Sequence, residues 1–377
     1  MVQQFPGIPH QAKASMEKTI KVLHTEWSDG WGGQEIRILN EMLAVRKRGV
    51  KTFLACRENA RIREKALEQG IPVFTLPFRG NTDLKTLFGL MRIIRREKID
   101  IVNTHSGKDT WVGGLAAKLT GRKFIRTRHL SNPINPSRLN FINEIADFII
   151  TTGSGVREDL IRNNRIRPDR IASVPTGVDA DLFDPSRYDR DVERQRLGIS
   201  EDEIAIGALG VIRRVKRHED FIRAAEILNR KHDRLRFFIA GDGPIRKDLE
   251  KLIGELRLDN FKILGHIEQP AGYLSALDIF VNSSANEGVP QAVIQALMMR
   301  KAVVATDAGS TSDLHEGNFL LVDPLAPERL AEGIEALILH REKREEYGRK
   351  SREPMLRDFS DDTMGERIVE IYRKVLQ

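Results

Sequence analysis

Residues 277–290 read LDIFVNSSANEGVP, and the chain continues as QAVIQALMMR to residue 300. The run Leu277-Asp278-Ile279-Phe280-Val281 has the length and composition of a buried strand. Asn286-Glu287-Gly288-Val289-Pro290 is a turn, and Pro290 marks the first position of a helix in which Gln295 is polar among apolar neighbours. A strand that ends in such a turn and opens a helix aims free backbone N–H groups at the strand's carboxyl end, where anionic ligands bind. Glu287 adds a carboxylate that can accept hydrogen bonds from hydroxyls beside them.

Working outward, the same unit recurs. Ile20–His24 reads as a first strand, Ser28–Gly33 as a glycine loop, and Ile36, Leu39, Met42 and Leu43 follow at helical spacing. Further strands are predicted over residues 50–56, 72–77, 99–104, 124–128, 148–152 and 170–174, with helices over 84–98 and 110–119. After the polar, charge-dense segment 183–198, read as a linker, the pattern restarts. Strands at 204–210, 235–240, 261–264, 276–281 and 303–306 alternate with helices at 218–231, 245–256 and 291–299. Such alternation predicts an α/β protein of two doubly wound, Rossmann-like domains. The expected boundaries are 17–183 and 184–359, with 1–16 a disordered leader and the helix within 360–377 crossing back onto the first domain.

Composition narrows the classes. The chain has 377 residues, 40% hydrophobic and 31% charged, as in soluble globular proteins of two domains. No apolar run approaches a membrane span, and the first residues lack a signal-peptide core. A cytoplasmic location is expected. The one cysteine, Cys56, excludes an internal disulfide and a cysteine zinc cage. Residues 1–180 hold 30 Lys+Arg against 18 Asp+Glu, a balance of +12, and the remainder holds 31 against 36, a balance of −5. The basic half expects an anionic partner: nucleic acid, phosphorylated substrate or an anionic membrane face. Nucleic acid lacks a recognised motif or interleaved aromatics.

The loops that follow strands carry the chemistry. Gly32-Gly33 before a helix admits an anion to the helix N-terminus, although a plain turn uses the same residues. Gly241-Asp242-Gly243-Pro244 reads in the same two ways, and neither loop is a P-loop or a dinucleotide fingerprint. Arg213, Arg214, Lys216 and Arg217 cluster after the strand at 204–210, where cations can neutralise a diphosphate. Diphosphate and hydroxyls together describe a nucleotide sugar.

The ordered motifs resemble the retaining glycosyltransferases of the GT-B fold, family 4, from about Ile20 to the C-terminus. They are the Gly32-Gly33 loop with Glu35, IVNTHS ending at Ser106, IRTRH ending at His129, SVPTGVDADLF, LGVIRRVKRHEDFIRAA, FFIAGDGP, FKILGH and the stretch quoted first. The resemblance implies that His105 approaches the transferred sugar, that Arg213 and Lys216 hold the donor phosphates, and that Glu287 is the first acid of a Glu-x7-Glu element touching the sugar. Gly288, Val289 and Pro290 would present backbone amides to sugar and phosphate, Gly32 and Gly33 would face donor or acceptor, and His266 follows Gly265 where relatives bring backbone to the base. Gly243 belongs to the same donor side. Two departures stand out: Gln295 replaces the second acid, which in the family grips the ribose, and Val211 stands where many relatives carry arginine.

The implied reaction moves a sugar from a UDP- or GDP-sugar to a saccharide or lipid-linked acceptor in cell-surface polysaccharide or lipopolysaccharide synthesis, with no metal or other cofactor. Peripheral contact with the inner membrane face is part of that expectation. Two other readings share the architecture: a nucleotide-sugar-binding protein that lost turnover, favoured by Gln295 and Val211, and a nucleotide-sugar 2-epimerase.

Overall fold

The computed structural model describes residues 18–129 and 138–377; the leader expected at 1–16 and Leu130, Ser131 and Asn132 of the loop after IRTRH lie outside them. The first half runs β1 (Lys21–Glu26), α1 (Gly33–Arg46), β2 (Lys51–Cys56), α2 (Arg61–Glu68), β3 (Val73–Thr75) and α3 (Leu84–Glu97). It continues with β4 (Ile101–Thr104), α4 (Gly107–Leu119), β5 (Lys123–Arg128), β6 (Phe148–Thr151), α5 (Ser154–Asn164) and β7 (Ile171–Ser173). Its seven strands are ordered β3-β2-β1-β4-β5-β6-β7 and pair in parallel.

The second half runs α6 (Arg190–Leu197), β8 (Ile204–Leu209), α7 (His218–Asn229), β9 (Leu235–Ala240), α8 (Arg246–Glu255), β10 (Phe261–Gly265) and α9 (Pro270–Ala276). It closes with β11 (Ile279–Asn282), α10 (Gln291–Met298), β12 (Ala302–Thr306), β13 (Leu320–Val322), α11 (Pro327–Leu339), α12 (Arg341–Phe359) and α13 (Asp361–Leu376). Its sheet, β10-β9-β8-β11-β12-β13, is also parallel. The expected fold class, two doubly wound α/β units, is the observed one. Parallel strands are covered on both faces, which is why β8 and β11 are nearly continuous in apolar residues and buried along most of their length.

Helix α13 leaves the second half and packs on the first. Met364, Ile368, Val369, Ile371, Tyr372 and Val375 share a buried cluster with Val22, Ala44, Ile101, Ile125 and Phe148. The chain crosses itself at the return: Val178 bridges Ser360, and a Cβ on Gly177 would collide with the Asp361 backbone. Gly177 is therefore a residue of close approach.

Three readings need correction. Segment 183–198 is not linker throughout: Asp189 caps α6 by accepting the Asp191 and Val192 N–H groups, and Gly198 ends the helix at φ +68°. The charge density misled because Arg194 is buried, donating to Asp278 and to the Ser200 and Glu203 carbonyls. The strand expected to start near Leu277 starts at Ile279, since Leu277 caps α9. Pro290 is the N-cap of α10, one position before the first helical residue, Gln291.

Candidate active site

In each sheet the strand order reverses once, at β1/β4 and at β8/β11, and loops that leave adjacent strands there open a crevice. The expected site residues divide between these two points.

At the first, β1 and β4 pair with His24 opposite Asn103, so His24 and His105 meet although 81 positions apart. His24 Nδ1 lies 2.9 Å from His105 Nε2, and His105 Nδ1 lies 3.0 Å from His129 Nε2. Burial lowers all three imidazoles, His24 and His129 to about 3, with Arg37 pushing His105 and His129 further the same way. The chain of rings is thus neutral, with one proton shared along each N···N contact. Both ring nitrogens of His105 are committed to its neighbours in this conformation.

Asp109 fixes the loop that carries His105. It accepts the His105 and Ser106 N–H groups at 3.0 and 2.7 Å, the Thr25 hydroxyl at 2.5 Å, and the Ser106 hydroxyl. Glu26, at the end of β1, accepts the Trp27 and Ser28 N–H groups at 2.8 Å and the Gln34 amide at 2.5 Å. Burial, then the nearby Asp109, raises the Glu26 carboxyl to about 8, and burial raises Asp109 as well. Beneath them Glu41 accepts Asn103 Nδ2 at 2.9 Å and the Tyr372 hydroxyl at 3.3 Å, and pairs with Arg37 at 3.4 Å.

His24, Glu41 and His105 bring potential ligand atoms within 4.8 Å of one another, the spacing of a metal cluster. Two features weigh against a cation there. His24 and His105 already hydrogen-bond each other, and the Arg37 guanidinium supplies the positive charge beside Glu41. The trio fits a hydrogen-bonded network better.

Above the histidines lies a cavity of about 560 Å³ whose lining includes Trp27, Gln34, His105, Lys108, Arg126 and Arg128. Lys108 Nζ sits 3.8 Å from the Trp27 ring centre. Arg126 is only 9% exposed, and its side chain makes no hydrogen bond or ion pair to another described residue. Burial, then the neighbouring Arg128, lowers it to about 10. Gly32 and Gly33 stand beside this cavity: Gly32 N–H is taken by Glu35 at 2.8 Å, and Gly33, the first residue of α1, is exposed with open space before it.

At the second switch point Lys216 Nζ contacts Glu287 Oε1 at 2.6 Å, and the Ser284 hydroxyl donates to the same oxygen at 2.6 Å. Backbone geometry holds the pair: Ala285 N–H donates to the Val215 carbonyl at 2.9 Å, and the Ser283 hydroxyl to the Lys216 carbonyl at 2.9 Å. Gly309, at φ +61°, passes directly under Glu287, where any Cβ would overlap the Glu287 carbonyl. Of the four clustered cations, Arg217 is spent on Glu219 and Asp220, whereas Arg213 is exposed and unpaired among the described residues. Val211 is 49% exposed beside it. Gln295 is half-buried on α10, and its side-chain amide makes no hydrogen bond among the described residues. Gly243 closes the loop after β9 against Ile212, and His266 is exposed after Gly265.

One expected contribution fails on chemistry. Pro290 has no N–H, so amides at this turn come from Gly288, Val289 and the first residues of α10. The two halves meet across the crevice, where the Ser154 hydroxyl donates to Asp313 at 2.5 Å and Gln291 donates to the Thr176 carbonyl at 3.3 Å. Sequence reasoning missed Arg126, Asp109 and Glu26, and gave His24 no role beyond its place in the first strand. The Ser-x-x-Asp spacing of Ser106 and Asp109 is a capping signal that would have found the second of them.

Two family models match consecutive stretches: Glycosyltransferase Family 4 over residues 31–182 and Glycosyl transferases group 1 over residues 189–354. Together they span most of the sequence, and the chain belongs to the group 1 glycosyltransferases of the GT-B fold, a family of transferase enzymes. It is 26% identical over 303 residues, 75% of this chain and 78% of the relative, to the UDP-Gal:alpha-D-GlcNAc-diphosphoundecaprenol alpha-1,3-galactosyltransferase of Escherichia coli. A glycosyltransferase structure from Rickettsia africae superposes with a TM-score of 0.84 at 20% identity, covering 95% of this chain and 99% of that one. The Anabaena protein HepE, in complex with UDP and glucose, superposes at 0.78 with 20% identity, covering 94% and 100%. At that identity these structures speak to the fold alone. Among the described residues no helix is long and apolar enough to cross a membrane.

Proposed function

We propose that the protein transfers a sugar, with retention of configuration and without a required metal, from a nucleoside diphosphate sugar to an acceptor hydroxyl in surface polysaccharide or glycolipid synthesis. The observation that carries this reading is the Lys216–Glu287 pair at the β8/β11 switch point, with the Arg213 side chain close by in sequence and unpaired among the described residues. A carboxylate fixed by Lys216 and Ser284 accepts hydrogen bonds from sugar hydroxyls, while Arg213, Lys216 and the N–H groups opening α10 face the donor phosphates. As the bond from the anomeric carbon to phosphate breaks, negative charge grows on the departing diphosphate and these groups stabilise it. The acceptor oxygen bonds to the anomeric carbon on the same face, and its proton passes to the leaving phosphate oxygen. No side chain is alkylated.

UDP is the first nucleotide to test, because HepE holds UDP and the E. coli relative uses UDP-Gal by name. Gln295 would meet the ribose through a neutral amide, so a bound nucleotide should be held less tightly than by a carboxylate. The experiment is donor hydrolysis and binding across UDP-, GDP-, ADP- and CMP-sugars, with and without chelator, for wild type and Glu287→Ala. One donor turned over with dependence on Glu287 and indifference to chelator is the expected result; no binding by any donor would overturn the reading and favour a protein that lost turnover. The anomer of the product, read by NMR, decides retention.

A further inference from the structure

A cavity of about 700 Å³ lies at the opposite end of the second sheet from Glu287, where β8, β11 and β12 begin. Strand β11, roughly 13 Å long, separates Asp278 on its wall from the loop that carries Glu287. Six cations line it: Arg190, Arg300, Lys301, Arg341, Arg344 and Arg349. Of the acids on the same walls, Asp202 and Glu203 pair with Arg234 and Arg236, which are not on the wall, Asp278 with Arg190 and Arg194, and Glu345 with Arg341. Glu201 has no partner among the described residues. Four cations are left without a carboxylate. Lys301 donates to the Ser275 and Leu277 carbonyls at 2.9 and 3.2 Å, and Arg344 to the Leu337 and Ile338 carbonyls. The exposed Arg300 and Arg349 side chains make no hydrogen bond or ion pair among the described residues. Burial, then Arg190, lowers Lys301 to about 7.

Four like charges around one cavity repel one another, and an anion between them offsets that repulsion. The walls are braced to keep the charges together. A Cβ on Gly348 would collide with the Arg300 carbonyl, so α12 rests directly on the turn that carries Arg300 and Lys301. Ser351 and Arg352, further along α12, donate to the Leu297 and Met298 carbonyls at 2.9 and 2.7 Å. Arginines along one helix face are ordinary solvated charge; here they converge on one space from α12 and from the turn before β12. We propose that this cavity binds a phosphorylated small molecule at a site separate from the donor crevice, with Arg300, Arg344 and Arg349 on its phosphate oxygens and Lys301 beside them. Guanidinium groups suit such a ligand because their paired N–H groups match two phosphate oxygens. Occupancy of this site is independent of the transferase reading.

The test is calorimetry on the full chain carrying Arg213→Ala and Lys216→Ala, which removes two cations of the donor crevice, with no nucleotide sugar present. Inorganic pyrophosphate should bind about tenfold or more tightly than acetate at equal ionic strength. Adding Arg300→Asn and Arg349→Gln should weaken pyrophosphate by about tenfold, through the loss of charge-assisted hydrogen bonds. Asn suits position 300 because Arg300 holds φ +56°. Arg349→Gln alone, at an exposed helical position, should give part of that loss. Adding instead Lys343→Gln and Lys350→Gln, which remove the same charge from α12 away from the cavity wall, should leave binding unchanged. Thermal melting checks that each variant is folded. Equal affinity for pyrophosphate and acetate, indifference to the Arg300 and Arg349 changes, or an equal loss from the Lys343 and Lys350 changes overturns the inference.

Discussion

The two switch points perform the same topological task with opposite materials. At β1/β4 the floor is built from buried titratable side chains, among them His24, Glu26, Glu41, His105 and Asp109, each held by other side chains. At β8/β11 the Lys216–Glu287 pair is held mainly by backbone turns and stays partly open to solvent. The first arrangement stores stability in protonation states; the second keeps charge ready for a ligand. The difference teaches that a charged residue at a strand end has to be judged by what satisfies it.

The sharpest way to break this comparison is Glu41→Ala. It leaves the Arg37 guanidinium buried without its carboxylate partner, and losing one member of a buried pair costs about 3–5 kcal/mol. Denaturant unfolding should register the loss, whereas an unchanged midpoint would mean that the network beneath His105 is ornamental to stability. Next comes Glu287→Ala, expected to lower kcat by roughly 10²–10³-fold, on the scale of losing one group that stabilises a transition state, with little change in melting temperature. A variant that melts early instead would show that the second site is also structural.

Protonation sharpens the contrast. The Glu26 carboxyl, raised from 4.5 to about 8 by burial and Asp109, favours the folded state in its protonated form. Its contribution is complete below pH 4.5 and is lost as pH rises from there to about 8. Glu26→Gln mimics the protonated form, so its stability relative to wild type should rise across that window, by at most about 1.4 kcal/mol per pH unit. The histidines act in the other sense: buried neutral, with His24 and His129 lowered from 6.5 to about 3, they withdraw stability as pH falls from 6.5 towards 3. A flat difference between Glu26→Gln and wild type over pH 4.5–8 would contradict the assignment. The smallest effect expected is Gln295→Glu. A charge-assisted bond to a diol in place of a neutral one should tighten nucleotide binding by roughly 1 kcal/mol, or about fivefold, in a titration with UDP.

Much of this molecule was legible in its residues. The alternation of apolar runs and helical periodicity located most strands to within a residue or two, and the loops after them contained Glu287, Lys216, Arg213 and His105. Helix α6 was hidden because Arg194 looks like surface charge yet is buried on Asp278, and only packing distinguishes the two. His24 showed only as a strand residue, because its meeting with His105, 81 positions on, depends on parallel register between β1 and β4. Arg126 escaped because a basic residue within an apolar strand gives no sign of whether a partner waits for it.

By itself, then, the sequence determined the class of fold, the order of its units and the ends of strands at which chemistry is placed, because periodicity, turn residues and caps are local properties that need no distant partner. The tertiary structure alone decided which charges are spent and which are left over. Arg217 and Arg213 are equivalent as letters, and only the packing around Asp220 consumes the first and leaves the second exposed. The same holds for the cavity above the histidines, whose walls come from separate segments that meet only once β1, β4 and β5 are paired.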